Sequence, residues 1–116
     1  MDQEKVHYQF ISENYAVSGQ IYVEQLETLA KLGFNSIIIN RPDKEGGDAQ
    51  PLSADIIAKA KSLGMNAVYL PVEKGMITPD KIQALADWLE QLEGPILAYC
   101  FSGARSTLLY QAAINR

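Results

Sequence analysis

The chain has 116 residues, 47% of them hydrophobic and 21% charged, and a formal charge of −4 from 14 acidic and 10 basic side chains. That length is enough for one domain around one core, expected to span residues 1–116, and the composition is that of a globular protein. The negative balance argues against nucleic-acid binding through an overall field, while leaving room for one local cationic pocket; no apolar run approaches the ~20 residues that span a bilayer.

The first residues, Met1-Asp2-Gln3-Glu4-Lys5, lack the basic-then-apolar character of a signal peptide, so a cytoplasmic protein is expected. Tyr8 to Gly19 holds two short extended runs separated by a polar turn and reads as an edge strand or hairpin. From Tyr22 to Leu32 the residues Val23, Leu26, Leu29, Ala30 and Leu32 recur at helical spacing, and Gly33 supplies the left-handed position that ends many helices. Ser36-Ile37-Ile38-Ile39-Asn40 is a β-branched run, too short for a helix and suited to a strand buried on both faces. Arg41 to Pro51 is a loop by its Pro and Gly punctuation. Ser53 is the expected N-cap of a second helix, with Ile56, Ile57, Ala60 and Leu63 inward and Gly64 closing it. Ala67 to Leu70 is the next buried strand. Thr78 caps a third helix with Pro79 at its first position, where the missing N–H costs nothing; Ile82, Leu85, Ala86, Leu89 and Leu92 face inward. Gly94-Pro95 stops it. Ile96 to Tyr99 is the last strand, and Gly103 to Asn115 the last helix, with Leu108, Leu109 and Ala112 or Ala113 inward.

Strands alternating with helices predict a three-layer α/β/α domain with a mainly parallel sheet of four or five strands. Ligands of such sheets bind beyond the carboxyl ends of the strands. Three loops leave those ends: Arg41 to Pro51, Pro71 to Thr78, and Cys100 to Arg105.

Cys100, the single cysteine of the chain, ends the last strand where it turns into a helix. A thiolate there gains the N–H groups of the helix's first turn and the positive end of its dipole, both of which lower its pKa. Gly103 permits the geometry such an N–H nest needs. Arg105 is electrostatically misplaced at a helix start unless an anion binds beside it, and its fork of donors suits one. Ser106 is either a helix-start hydroxyl or a support for the Cys100 thiolate. One cysteine leaves no internal disulfide, and with the single histidine, His7, it makes no zinc site of the usual kind; no metal and no cofactor is expected.

Cys100-Phe101-Ser102-Gly103-Ala104-Arg105-Ser106 resembles the cysteine loop of the protein-tyrosine and dual-specificity phosphatase superfamily. It most resembles a bacterial branch, the phosphatase-like domain of the beta-lactamase-hydrolase-like proteins. The resemblance extends through Ser18-Gly19-Gln20-Ile21, Leu32-Gly33-Phe34, Ile39-Asn40-Arg41-Pro42-Asp43, Leu70-Pro71-Val72 and Gly94-Pro95-Ile96-Leu97. It implies a dual-specificity-phosphatase-like fold, Cys100 as nucleophile, and an anion cradle of Phe101, Ser102, Gly103, Ala104, Arg105 and Ser106, with Arg41 adding positive charge or pairing with Asp43 or Glu45. Two features depart from the superfamily's pattern: Tyr99 stands where a histidine usually precedes the cysteine, and four residues rather than five separate Cys100 from Arg105. Four is the spacing of many rhodanese-like sulfurtransferases, whose cysteine carries a persulfide.

A phosphatase also needs a general acid for the leaving oxygen. Glu73, 27 residues before the cysteine, is the first candidate and Asp43 another; Asp80 has a structural reason to sit in a helix first turn. The expected function is hydrolysis of a phosphoester through Cys100. The alternatives are sulfur transfer through a Cys100 persulfide and a phosphate- or sulfate-binding module without turnover. In each case the partner is a small anion, a phosphoester or a sulfane-sulfur donor, with no nucleic acid and no membrane.

Overall fold

The computed structural model describes residues 5–116; Met1 to Glu4, on which the reading of the N-terminus rests, lie outside the described residues. Five strands form one sheet in the order β1-β2-β5-β3-β4. They are β1 (Tyr8–Ser12), β2 (Tyr15–Ser18), β3 (Ser36–Ile39), β4 (Asn66–Tyr69) and β5 (Ile96–Tyr99). β1 is antiparallel to β2, and every other pairing is parallel. Thus the first segment is a hairpin, but only its first strand is an edge: β2 is fully buried and pairs with the central β5.

Alternation along the strands sends successive side chains to opposite faces. Ala16, Ile37, Ile39, Leu97 and Tyr99 enter a core shared with α1 (Leu26–Lys31) and α2 (Ser53–Ser62). Tyr15, Val17, Ile38, Ile96 and Ala98 enter a second core shared with α3 (Pro79–Gln91) and α4 (Ala104–Ile114). The three layers and the mainly parallel sheet match the expectation. No helix among the described residues is long and apolar enough to cross a membrane.

Four local expectations need correction. β4 is not a buried strand: it lies at one edge of the sheet, with Asn66 and Tyr69 exposed and Ala67 and Val68 half-buried. The stretch from Tyr22 to Leu32 is not one helix: a 3-10 turn, Val23–Gln25, runs into α1, and Leu32, though at helical spacing, is its C-cap with 53% of its surface exposed. Leu108 is likewise 54% exposed, because Arg105, Ser106, Leu109 and Ala113 take the inner face of α4. Ser53 is not the N-cap of α2: Leu52 holds the extended cap conformation, and Ser53 is the first helical residue. The missing cap comes from elsewhere, since Asp43 accepts from both the Ser53 N–H and the Ser53 hydroxyl at 2.7 Å.

Candidate active site

β5 ends at Tyr99, and the chain reverses through Cys100, Phe101, Ser102 and Gly103 into α4. Gly103 makes this turn with φ of +96°, a left-handed conformation that other residues adopt only with strain. Its N–H points back and donates to Cys100 Sγ at 3.0 Å. A second glycine lets the loop sit where it does: a Cβ on Gly19, at the end of β2, would lie 2.8 Å from the Phe101 carbonyl oxygen. The sulfur has no exposed surface. Burial alone would push the thiol pKa up, but the N–H groups of Ser106, Ser102, Gly103 and Arg105 outweigh it and hold the pKa below the ordinary thiol value. A thiolate therefore persists to lower pH than in a free cysteine. Alkylation by iodoacetamide is expected to show a pH midpoint below ~8.5; burial lowers the overall rate without moving that midpoint. A midpoint at the free-thiol value would exclude the N–H nest as the controlling influence.

Asn40, at the end of β3, ties the three loops together. It is fully buried, donates from Nδ2 to the Leu70 carbonyl and accepts at Oδ1 from the Ser106 hydroxyl, both at 2.8 Å. Its backbone bonds to Tyr99 and Val72. The Ser106 hydroxyl is thus engaged with Asn40, and it is the Ser106 backbone N–H that favours the thiolate.

Arg105 is 8% exposed and reaches out of the first turn of α4 to the two neighbouring loops. Nη1 donates to Glu45 Oε2 and to the Val72 carbonyl, and Nη2 donates to Glu45 Oε1, each at 2.8 Å. Glu45 Oε1 also accepts from Arg41 Nε at 3.1 Å. Held chiefly by Arg105 and then by Arg41, the Glu45 carboxyl stays ionised with a pKa of about 2, against a smaller opposing effect of burial. Arg41 in turn donates to Gln20 and lies with its guanidinium carbon 4.9 Å from the centre of the Phe101 ring. Lys74 approaches the same ring at 6.0 Å, so the exposed Phe101 carries a cation on two approaches.

The remaining candidates take different places. Tyr99, directly before Cys100, is buried in the core beneath α1 and α2, and desolvation drives its pKa upward. Asp43 spends both carboxylate oxygens on Ser53 at the start of α2. Glu73 is exposed and directly follows Val72, whose carbonyl Arg105 holds; it lines a cavity of about 280 Å³ with Tyr69, Met76 and Lys81. Asp80 sits in the first turn of α3, a position that favours an acid. On the opposite side, Ser102, Gly103 and Ala104 wall a groove of about 670 Å³ with His7, Tyr8 and Leu108. The clamp on Arg105 was missed from sequence: Glu45 figured there only as a partner for Arg41, although an arginine buried at a helix start needs a counter-charge.

Comparison with known proteins places this geometry. Residues 7–115 match the family model described as beta-lactamase hydrolase-like protein, phosphatase-like domain. A beta-lactamase hydrolase-like protein of Agrobacterium fabrum is 34% identical over 100 residues, 86% of this chain and 23% of that protein. The chain thus spans about a quarter of the length of the curated relatives it matches. The crystal structure of a candidate phosphatase from Neisseria meningitidis superposes with a TM-score of 0.79 at 32% identity, covering 87% of this chain and 71% of that one. Tk-PTP in its active form shares the fold, with a TM-score of 0.65 at 17% identity over 92% of this chain and 80% of that one. The chain belongs to the phosphatase-like domain family of the beta-lactamase hydrolase-like proteins.

Proposed function

We propose that this domain hydrolyses a small phosphoester with Cys100 as nucleophile. The observation that carries the reading is the convergence on one sulfur of several N–H groups from the turn into α4, with Arg105 rooted in the same turn. The thiolate attacks phosphorus, the ester oxygen leaves with a proton, and a phosphocysteine remains for water to hydrolyse. The N–H groups of the loop and Arg105 cradle the equatorial oxygens as charge shifts towards the leaving atom. Arg41, on the Phe101 ring, adds positive charge at the mouth.

Glu73 is the proposed general acid. It is exposed and follows the residue that anchors Arg105. Asp43 suits the task less well, because both of its carboxylate oxygens are engaged by Ser53 at the start of α2.

Sulfur transfer is the second reading, favoured by the four-residue spacing between Cys100 and Arg105. Intact-mass measurement separates the two. Acid-quenching during turnover of an aryl phosphate is expected to trap a phosphocysteine on Cys100. Incubation with thiosulfate is expected to leave the mass unchanged; a persulfide adduct with no phosphoryl adduct would replace the phosphatase reading with the sulfurtransferase one. Absence of both adducts alongside phosphate binding would mark a binding module.

A further inference from the structure

We infer that the end of the fold opposite the cysteine loop carries a second binding site, for a neutral ligand with a small apolar body and one hydrogen-bond acceptor. The observation behind it is a hydroxyl without a partner. Tyr15 begins β2 and pairs with Ile96, the first residue of β5, so it lies at the amino end of the sheet, whereas Cys100 follows the carboxyl end of β5. Its side chain is buried, and its hydroxyl is the one buried side-chain polar atom among the described residues that makes no hydrogen bond. Tyr15 borders a cavity of about 230 Å³, which Ser12 and Asn14 of the β1–β2 hairpin, Leu89 and Leu92 at the end of α3, and Tyr110 of α4 also line. That volume corresponds to about eight waters at ~30 Å³ each, or to a single ring with a short substituent.

The lining selects the ligand's chemistry. No charged side chain borders the cavity, and the last turns of α3 and α4 hold no basic residue. Helix C-termini carry partial negative charge, so an anion is disfavoured there. Leu89, Leu92 and Ile96 supply apolar surface for the body of the ligand. Tyr15 supplies a donor: burial, more than the neighbouring Tyr110, pushes the phenol pKa up, so the group stays protonated. A buried donor with no acceptor has lost its hydration without compensation. A ligand acceptor recovers that loss, and a ligand of the same shape without one recovers nothing.

Entry involves Tyr110. Its ring stacks on that of Tyr15, with centroids 4.1 Å apart and planes at 24°. It is half-buried, and its hydroxyl donates to Ser12 Oγ at 3.1 Å. Solvent does not touch the Tyr15 hydroxyl in this arrangement, so a ligand in the cavity tilts the Tyr110 ring aside to reach it. The exchange gives up one exposed-side bond at Ser12 and forms one at a donor that had none.

The test is an NMR titration of the isotopically labelled wild-type chain and Tyr15→Phe with three one-ring probes: acetophenone, ethylbenzene and benzoate. Acetophenone and ethylbenzene are close in shape, but only acetophenone carries an acceptor. The wild type is expected to bind acetophenone about tenfold more tightly than ethylbenzene, the scale of one hydrogen bond to a donor otherwise unpaired. Benzoate is expected to bind more weakly than acetophenone. Tyr15→Phe is expected to bring acetophenone down to the level of ethylbenzene and to leave ethylbenzene unchanged. Its melting temperature is expected to equal or exceed that of the wild type, because the change removes only an unpaired hydroxyl. A lower melting temperature would show that the hydroxyl already has a partner, and overturns the inference. So does a wild type that binds no acetophenone, binds it no better than ethylbenzene, or prefers benzoate. Equal loss of both neutral probes in Tyr15→Phe, or shifts centred away from Tyr15, Leu92 and Tyr110, overturns it as well. None of these readouts involves Cys100, so the proposed function stands or falls separately.

Discussion

Cys100→Ser is expected to abolish turnover of an aryl phosphate while keeping phosphate binding. Serine preserves the turn and its N–H groups, but a hydroxyl stays protonated at the pH where the Cys100 thiol, held low by the N–H groups of Ser106, Ser102, Gly103 and Arg105, is ionised. Among the described residues no carboxylate or imidazole is hydrogen-bonded to the sulfur to act as a base for the serine in its place. The loss should therefore be that of deleting a nucleophile outright, ~10⁴-fold or more. Binding moves the other way: a phosphate dianion no longer faces a thiolate, so inorganic phosphate should bind as tightly or more tightly. Steady-state rates with an aryl phosphate and calorimetry with phosphate read the two effects separately. Residual turnover within tenfold of wild type would show that water attacks directly and that Cys100 is not the nucleophile.

The parts of this molecule that were legible from sequence are those encoded in neighbouring residues. Ile37, Ile38 and Ile39 can be buried on both sides only in a sheet covered by helices on both faces, and they split between the two cores as strand alternation requires. Gly33 and Gly64, both with positive φ, mark helix ends for the reason that predicted them. Cys100, Gly103 and Arg105 lie within one turn, so their convergence follows from a local reversal of the chain.

Contacts between loops were not legible in the same way. Arg105 and Glu45 are 60 positions apart, and Ser106 and Asn40 are 66 apart. Each pairing depends on how far a loop wraps beyond its strand, which no spacing rule specifies. Ser53 shows the same limit at shorter range. A serine before a helical run satisfies every local rule for an N-cap, yet Asp43 arrives from ten residues earlier and does the capping instead. Leu32 and Leu108 fit the apolar period of their helices but fall outside the buried face. In α4 that face is partly occupied by Arg105 and Ser106, whose polar groups find partners in the site. A hydrophobic pattern cannot announce a buried face that polar side chains occupy.

Glu73→Gln is the change that separates the two chemistries, because only one of them needs a proton from this loop. Expelling an alkoxide from phosphorus is slow unless the oxygen is protonated as the bond breaks, and general acid catalysis is typically worth ~10²–10⁴ in rate. Glutamine keeps the shape of the side chain and removes the acid. If Glu73 supplies the proton, turnover of an alkyl phosphate should fall by about that factor. An aryl phosphate with an electron-poor ring should be affected much less, since its leaving group departs as the anion. Phosphate affinity should change little, as Arg105 and the loop N–H groups are untouched; Glu73 contributes to the anchoring of Arg105 only through the position of its neighbour Val72. In sulfur transfer the Cys100 thiolate takes the outer sulfur of thiosulfate, sulfite leaves, and cyanide removes the sulfur as thiocyanate, with no oxygen to protonate. That reaction should be indifferent to Glu73→Gln and lost with Cys100→Ser. Running alkyl phosphate, aryl phosphate and thiosulfate on the same two variants gives each reading its own pattern. Equal loss on alkyl and aryl phosphates would show that Glu73 shapes the site without donating the proton. Unchanged turnover of both would leave the leaving oxygen to draw its proton from solvent through the exposed mouth beside Phe101.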